Sequence, residues 1–176
     1  GAMHPHGRGP ILLSRYLALA WLGLVIYASL HPFSGWRDTG VSPFAFLEGG
    51  WPRYWTVFDL VANVAVYVPL GFFLTLALSR LPGRYTALLL ATVLAGGISF
   101  GLEVAQTWLP SRVPSNVDLA CNTLGGLLGA LWARAVGPRV FARLAALEHR
   151  LIAPIPHAEL RRQKDLFIYL MVSPVV

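Results

Sequence analysis

Three carboxylates interrupt stretches that otherwise consist mostly of Leu, Val, Ala, Phe and Gly. They are Asp59, Glu103 and Asp118, and an amide follows two of them at the same interval, Asn63 after Asp59 and Asn122 after Asp118. Carboxylates can act as general acids or bases, and together with amides they can recognise a polar ligand. Because a charge in apolar surroundings is costly, we interpret these residues as candidates for function.

Helical spacing adds further residues to each carboxylate. Tyr67 follows Asp59 and Asn63 on one predicted helical face, and Ser99 and Gln106 share a face with Glu103. We expect a ligand site made of residues from three helices and one connection: Asp59, Asn63, Tyr67, Ser99, Glu103, Gln106, Arg112, Ser115, Asp118 and Asn122. The candidates for catalysis within this set are Glu103, Asp118 and Asp59. The single cysteine and the scattered histidines predict no metal centre, and no motif predicts a cofactor.

The composition predicts an integral membrane protein. Of 176 residues, 56% are hydrophobic and 12% are charged, whereas soluble domains carry about 25% charged residues. Four stretches are long enough to cross a bilayer, residues 11–30, 57–78, 85–107 and 117–136. We therefore predict an all-α fold, a membrane four-helix bundle. Residues 1–10 are predicted as a tail that begins with a tag remnant, 11–137 as the transmembrane domain and 138–176 as a cytoplasmic or interfacial tail.

The distribution of basic residues predicts the orientation of the bundle. Three of the 14 Lys and Arg residues, Arg37, Arg53 and Arg112, fall in the connections before the second and fourth stretches. The others lie on the opposite side, so both termini are predicted to be cytoplasmic and the polar residues to face outward. The basic residues flank apolar stretches, which argues for membrane anchoring over nucleic-acid binding. Residues 138–151 have the pattern of an amphipathic helix at the inner leaflet.

Helix capping is the alternative interpretation of the two aspartates. Thr56 to Asp59 and Ser115 to Asp118 both fit the S/T-x-x-D pattern of a helix start. Capping explains neither asparagine, and it does not explain Glu103, since a carboxylate is disfavoured at a helix C-terminus. We expect Arg112 to fold back as the partner of Glu103, either as a structural ion pair or as part of the site.

Small residues and a proline predict how the helices pack. Gly97 with Gly101, and Gly125 with Gly129, form G-x-x-x-G patterns that would bring the third and fourth stretches together. Pro69 is expected to bend the second stretch, either harmlessly or to open a cavity. The segments TVFDLVAN (56–63) and SNVDLACN (115–122) also resemble each other, which suggests an internal repeat.

Taken together, these motifs resemble the VanZ-like family of small membrane proteins. The matching pieces are D-x-x-x-N with Y-x-P-L-G-F, S-x-x-x-E-x-x-Q, R-x-x-x-x-x-D and D-x-x-x-N-x-x-G, and the resemblance covers residues 11–137. It implies a multi-pass protein of the bacterial cytoplasmic membrane. The namesake of the family is associated with resistance to the glycopeptide teicoplanin, so the resemblance implies a role in glycopeptide resistance or in envelope homeostasis.

Three functional hypotheses follow. The first is a pocket at the outer face that binds an amphiphile, such as a membrane lipid, a lipid-linked cell-wall precursor or a lipophilic glycopeptide, with Arg112 contacting phosphate or carboxylate. The second is an intramembrane enzyme on such a substrate, with Glu103 as general acid or base and Asp59 or Asp118 as its ionised counterpart. The third is a lipid transporter, which with four helices per chain would require a homo-oligomer.

Overall fold

The computed structural model describes residues 11–52, 54–152 and 161–166, and the regular secondary structure of these residues consists of helices without a strand. The helices are α1 (Ile11–Leu30), α2 (Ala45–Glu48), α3 (Val57–Ala77), α4 (Thr86–Gln106) and α5 (Asn116–Ile152), and residues 161–166 are also helical. In the described chain, α1, α3, α4 and the first part of α5 are long and apolar enough to cross a membrane. The predicted all-α fold with four spanning helices is confirmed.

The four long helices run alternately up and down, and one end of the bundle carries most of the polar contacts. We call this the polar end: it holds the end of α1, the starts of α3 and α5, the end of α4, and the connections 31–56 and 107–115. The core beneath it is formed by Val25, Tyr67, Leu70, Ala95 and Leu102. Helix α3 contacts all three of the other long helices and so occupies the centre of the bundle.

Glycines of α5 allow its backbone to lie directly against α3. A Cβ atom at Gly125 would meet the carbonyl oxygen of Val64, and one at Gly129 would meet that of Val68. Gly126 lies against Ala95 of α4: a Cβ atom added at Gly126 would be 2.5 Å from the Cβ atom of Ala95. The G-x-x-x-G pattern of α5 is therefore a packing face, and its main partner is α3, not α4 as the sequence suggested.

We predicted that the G-x-x-x-G pattern of α4 would pack against another helix, and this prediction is wrong. Gly97 and Gly101 have no atom near the position of an added Cβ and are exposed. The buried face of α4 instead carries Ala91, Ala95 and Ser99. Helical periodicity turns residues 97 and 101 away from that face, toward the surface that lipid would cover.

Helix α5 continues through Pro138, where we predicted a break between a spanning helix and a separate tail helix. Its first turns beyond the proline pack against α3, because Val140 and Leu144 contact a cluster formed by Phe72, Leu76 and Ala133. The rest of the apolar face, Leu147 and Leu151, is exposed. The predicted interfacial helix is thus an extension of α5 as far as Ile152; residues 1–10, 153–160 and 167–176 of the two predicted tails lie outside the described residues.

The described residues of the long connection, residues 31–56, are tied to the rest of the chain at several places, including the following. Phe44 and Phe46, at and inside α2, each lie 6.1 Å from the ring of Phe100 on α4, centroid to centroid. The side-chain amide of Asn116 donates to the carbonyl of Gly49 (2.7 Å). These contacts place the connection over the polar end, beside the starts of α3 and α5.

Candidate functional site

The start of α3 is a self-contained capping box. The Asp59 amide donates to Thr56 Oγ1 (3.1 Å), and the Thr56 amide donates back to Asp59 Oδ2 (2.9 Å). Both residues are exposed. The capping interpretation is therefore confirmed for Asp59, although one of its carboxylate oxygens stays free of this motif.

The start of α5 has the same local sequence but a different acceptor. The Asp118 amide approaches Ser115 Oγ (3.3 Å), as in a capping box, yet the Ser115 amide donates to Glu103 Oε2 of α4 (2.9 Å). Glu103 thus accepts from the amide at the start of α5, as Asp59 does at the start of α3. Arg112 is not its partner, and the predicted Glu103–Arg112 pair is wrong.

Because Glu103 accepts from the Ser115 amide, the Asp118 carboxylate is available for a contact between helices. Asn63 Nδ2 of α3 donates to Asp118 Oδ1 of α5 (2.9 Å), so each aspartate–asparagine motif supplies one partner of the bond. Asn63 and Asp118 are both half-buried. A hydrogen bond to a charged acceptor stabilises by about 1.5–3 kcal/mol, which is enough to fix the separation of the two helix starts.

A cavity of about 310 Å³ opens between these helix starts and the long connection; we call it the carboxylate pocket. Polar side chains of Asp59, Asn63, Ser115 and Asp118 form part of its wall. Aromatic and apolar residues complete the wall: Pro52, Tyr54, Trp55, Leu60, Ala62, Val113 and Val117. Among the described residues that line it, the ionisable side chains that carry a carboxylate are Asp59 and Asp118.

A second cavity of about 330 Å³ adjoins the first; we call it the apolar pocket. The two cavities share Pro52, Tyr54, Val113 and Ser115 in their walls. Beyond these residues, the apolar pocket is bounded by Phe46, Gly49, Gly50, Pro114 and Asn116. A polar compartment and a largely apolar one therefore lie side by side at the polar end.

Below the carboxylate pocket lies a buried group that we call the inner cluster, formed by Tyr67, Ser99, Glu103 and Asn122. Each of its four side chains is at most 5% exposed. Asn122 Nδ2 donates to Ser99 Oγ (2.9 Å), and the Tyr67 hydroxyl lies in the vicinity of Ser99 and Glu103. The Tyr67 hydroxyl and Asn122 Oδ1 are buried without a hydrogen-bond partner.

Gln106 and Arg112 serve a different purpose from the one that the sequence suggested. Gln106 Nε2 donates to the carbonyl of Ser29 (3.0 Å). Arg112 donates from Nη2 to the carbonyl of Ala28 (2.9 Å) and from Nε to that of His31 (3.0 Å). Since the last carbonyls of a helix lack intrahelical donors, these two side chains cap α1 from another part of the chain.

The ten predicted site residues are therefore brought to one end of the bundle but divided into three groups. Four line the carboxylate pocket, four form the inner cluster and two cap α1, with the Glu103–Ser115 bond joining the first two groups. The sequence analysis missed Tyr54 and Trp55 as pocket residues. Their position directly before the Thr56 cap was the available signal, because a residue preceding a helix start must lie near that start.

No group of three or more His, Cys, Asp and Glu side chains in the described chain is arranged to hold a metal ion.

Comparison with known proteins identifies a family over most of this bundle. The family model described as VanZ/LLP1 matches residues 15–137, which include α1, α3, α4 and the membrane-length part of α5. No curated protein and no solved structure matches the chain.

Proposed function

The chain belongs to the VanZ/LLP1 family and is a multi-pass membrane protein, and we propose that its carboxylate pocket binds the polar head of an amphiphilic envelope ligand. The observation that carries this proposal is the pairing of the carboxylate pocket with the adjoining apolar pocket. An amphiphile has a polar head and an apolar tail, so it needs a polar compartment and an apolar one. The arrangement supports the binding hypothesis without requiring a reaction.

The wall of the carboxylate pocket favours a head group that carries positive charge or several hydrogen-bond donors. Asp59 and Asp118 each keep one carboxylate oxygen that none of the bonds described above uses. Tyr54 and Trp55 add aromatic faces, which attract ammonium groups by cation–π interaction. Arg112, the residue first expected to bind an oxyanion, donates to carbonyls in and just after the last turn of α1, so we propose an ammonium-bearing ligand in place of a phosphate-binding role.

Orientation is part of the proposal. The excess of basic residues away from the polar end supports a cytoplasmic location for both termini, with the carboxylate pocket opening at the outer face of a bacterial cytoplasmic membrane. Lipids of the outer leaflet, lipid-linked cell-wall precursors and lipophilic glycopeptides all reach such a pocket from the bilayer. Those that carry an amino group are the candidates that this wall favours.

The test compares two lipids in nanodiscs that contain the full-length protein. One fluorescent lipid carries a primary ammonium head group, and the other has an anionic head without an amine. We expect saturable binding of the first, weakened about tenfold by Asp118→Asn, because one charged contact is lost while residue 118 can still accept from Asn63. Asp38→Asn is the matched control, since Asp38 lies in the long connection and bonds only locally, to the Gly40 amide.

Equal binding of the two lipids, or binding that Asp118→Asn leaves unchanged, would contradict the proposal. Chemical conversion of the bound lipid by the wild-type protein would assign the pocket to an enzyme instead. In that case the acid and base would be sought in Asp59 and Asp118, since both line the cavity while Glu103 does not.

A further inference from the structure

The inner cluster contains buried polar atoms that the protein itself does not satisfy. Asn122 Oδ1 can only accept hydrogen bonds, and it has no partner. The Tyr67 hydroxyl lies beside Ser99 but not in the geometry of a hydrogen bond. The two side chains are 5% and 3% exposed. An unsatisfied buried polar group costs about 1–3 kcal/mol, and more where lipid surrounds the protein. Two such atoms in one cluster indicate a site for a small guest.

The depth of the cluster separates it from the carboxylate pocket. Ser99 lies seven residues before the end of α4 and Asn122 six residues after the start of α5. With a rise of 1.5 Å per residue, these positions are about 9–11 Å below the polar end. None of the four side chains lines either pocket, and the link to the surface runs through the bond from the Ser115 amide to Glu103.

The charge around the cluster determines which guest fits. Three carboxylates lie at this end, and Glu103 is close enough to Asp118 to interact with it, as Asp118 is with Asp59. The bonds described for them come from the Ser115 and Thr56 amides and from the Asn63 side chain, all neutral donors. Adjacent carboxylates in apolar surroundings are relieved by a positive charge nearby or by a proton on one of them.

We propose that the inner cluster binds one small monovalent cation, of the size of sodium. The oxygen atoms available to it are Asn122 Oδ1, the Tyr67 hydroxyl, Ser99 Oγ and the carboxylate of Glu103. One carboxylate with three neutral oxygens matches a single positive charge, and hard oxygen atoms suit an alkali ion. A bound cation satisfies both partnerless oxygens and offsets the repulsion among the carboxylates, which a neutral water molecule would leave in place.

Thermal unfolding of the full-length protein in detergent tests this site independently of any amphiphile. Unfolding midpoints are compared in sodium chloride and in N-methyl-D-glucamine chloride at equal ionic strength, so that screening is the same in both. We expect sodium to raise the midpoint of the wild-type protein by about 5 °C or more, since a ligand that binds only the folded state stabilises it. Asn122→Leu should abolish the rise, whereas Thr92→Val should retain it, because Thr92 bonds only to its own helix.

A second measurement needs no variant. Sodium-23 NMR of the wild-type protein should show line broadening that saturates with sodium concentration and is reversed by competing lithium. Equal midpoints in the two salts, absence of saturable broadening, or a sodium effect retained in Asn122→Leu would each overturn the proposal and leave a buried water as the guest. Because lipid binding to the carboxylate pocket is measured separately, either proposal can fail while the other stands.

Discussion

The two helix starts at the polar end make a direct comparison possible, because they have the same sequence pattern but different caps. At α3 the Thr56 amide is held by Asp59 of the same helix, in an exposed position. At α5 the Ser115 amide is held by Glu103 of α4, and both residues are buried. We predict that removal of the second cap destabilises the protein much more than removal of the first.

The magnitudes follow from burial. Asp59→Ala removes an exposed cap and should lower the free energy of unfolding by about 1 kcal/mol. Glu103→Met keeps the length of the side chain but leaves the buried Ser115 amide without an acceptor, which should cost about 3 kcal/mol, or roughly a hundredfold in the folding equilibrium. Glu103→Gln retains an acceptor oxygen and should cost about 1 kcal/mol.

Equilibrium unfolding in mixed micelles of increasing sodium dodecyl sulfate would measure these free energies. Hydrogen exchange of the first turn of α5 would report the cap directly, and it should accelerate in Glu103→Met but not in Asp59→Ala. If Asp118 instead replaced Glu103 as the cap, as the local sequence permits, Glu103→Met would cost no more than Asp59→Ala. That result would refute our account of why Asp118 is free to bond Asn63.

Three further predictions concern the bundle. Gly129→Ala should lower the free energy of unfolding by about 3 kcal/mol, because its Cβ would meet the α3 backbone. Gly97→Ala should raise the free energy of unfolding by up to about 1 kcal/mol, since space is open there and alanine favours helix. Unfolding in mixed micelles measures both changes. Arg112→Ala should speed hydrogen exchange at the end of α1 about tenfold through loss of its donors, and Arg112→Lys should restore part of the protection. Phe100→Ala should make the long connection more sensitive to protease by removing the ring contacts to α2, and unchanged cleavage would contradict that anchoring role.

Most of the helical bounds could be predicted because their signals are local. The prediction for α1 matches the structure, and those for α3 and α4 differ by one residue at three ends. Length, hydropathy and caps are properties of a short segment. A proline within a helix costs about 3 kcal/mol. Helix α5 nevertheless continues to Ile152, because packing of Val140 and Leu144 against α3 can offset that cost. That packing depends on a distant segment and leaves no local signal.

The gathering of the candidate residues at one end of the bundle could be predicted, but their pairing could not. Polar residues of three helices were expected at one end, and the structure places them there. The partner of Glu103 could not be read from spacing, because the Ser115 amide carries no side-chain signature and Arg112 offered an obvious charge. Likewise, a G-x-x-x-G pattern indicates that another helix can approach the backbone closely. Which of the two patterns packs against a helix depends on which one lies on a buried face.

The attachment of α1 has a consequence for biosynthesis. Its last turn is held by residues 77 and 84 positions later in the chain, Gln106 and Arg112. During translation α1 therefore enters the bilayer long before the groups that fasten it have left the ribosome. It can dock against α3 before then, but its last turn is fastened only once the segment after α4 has emerged.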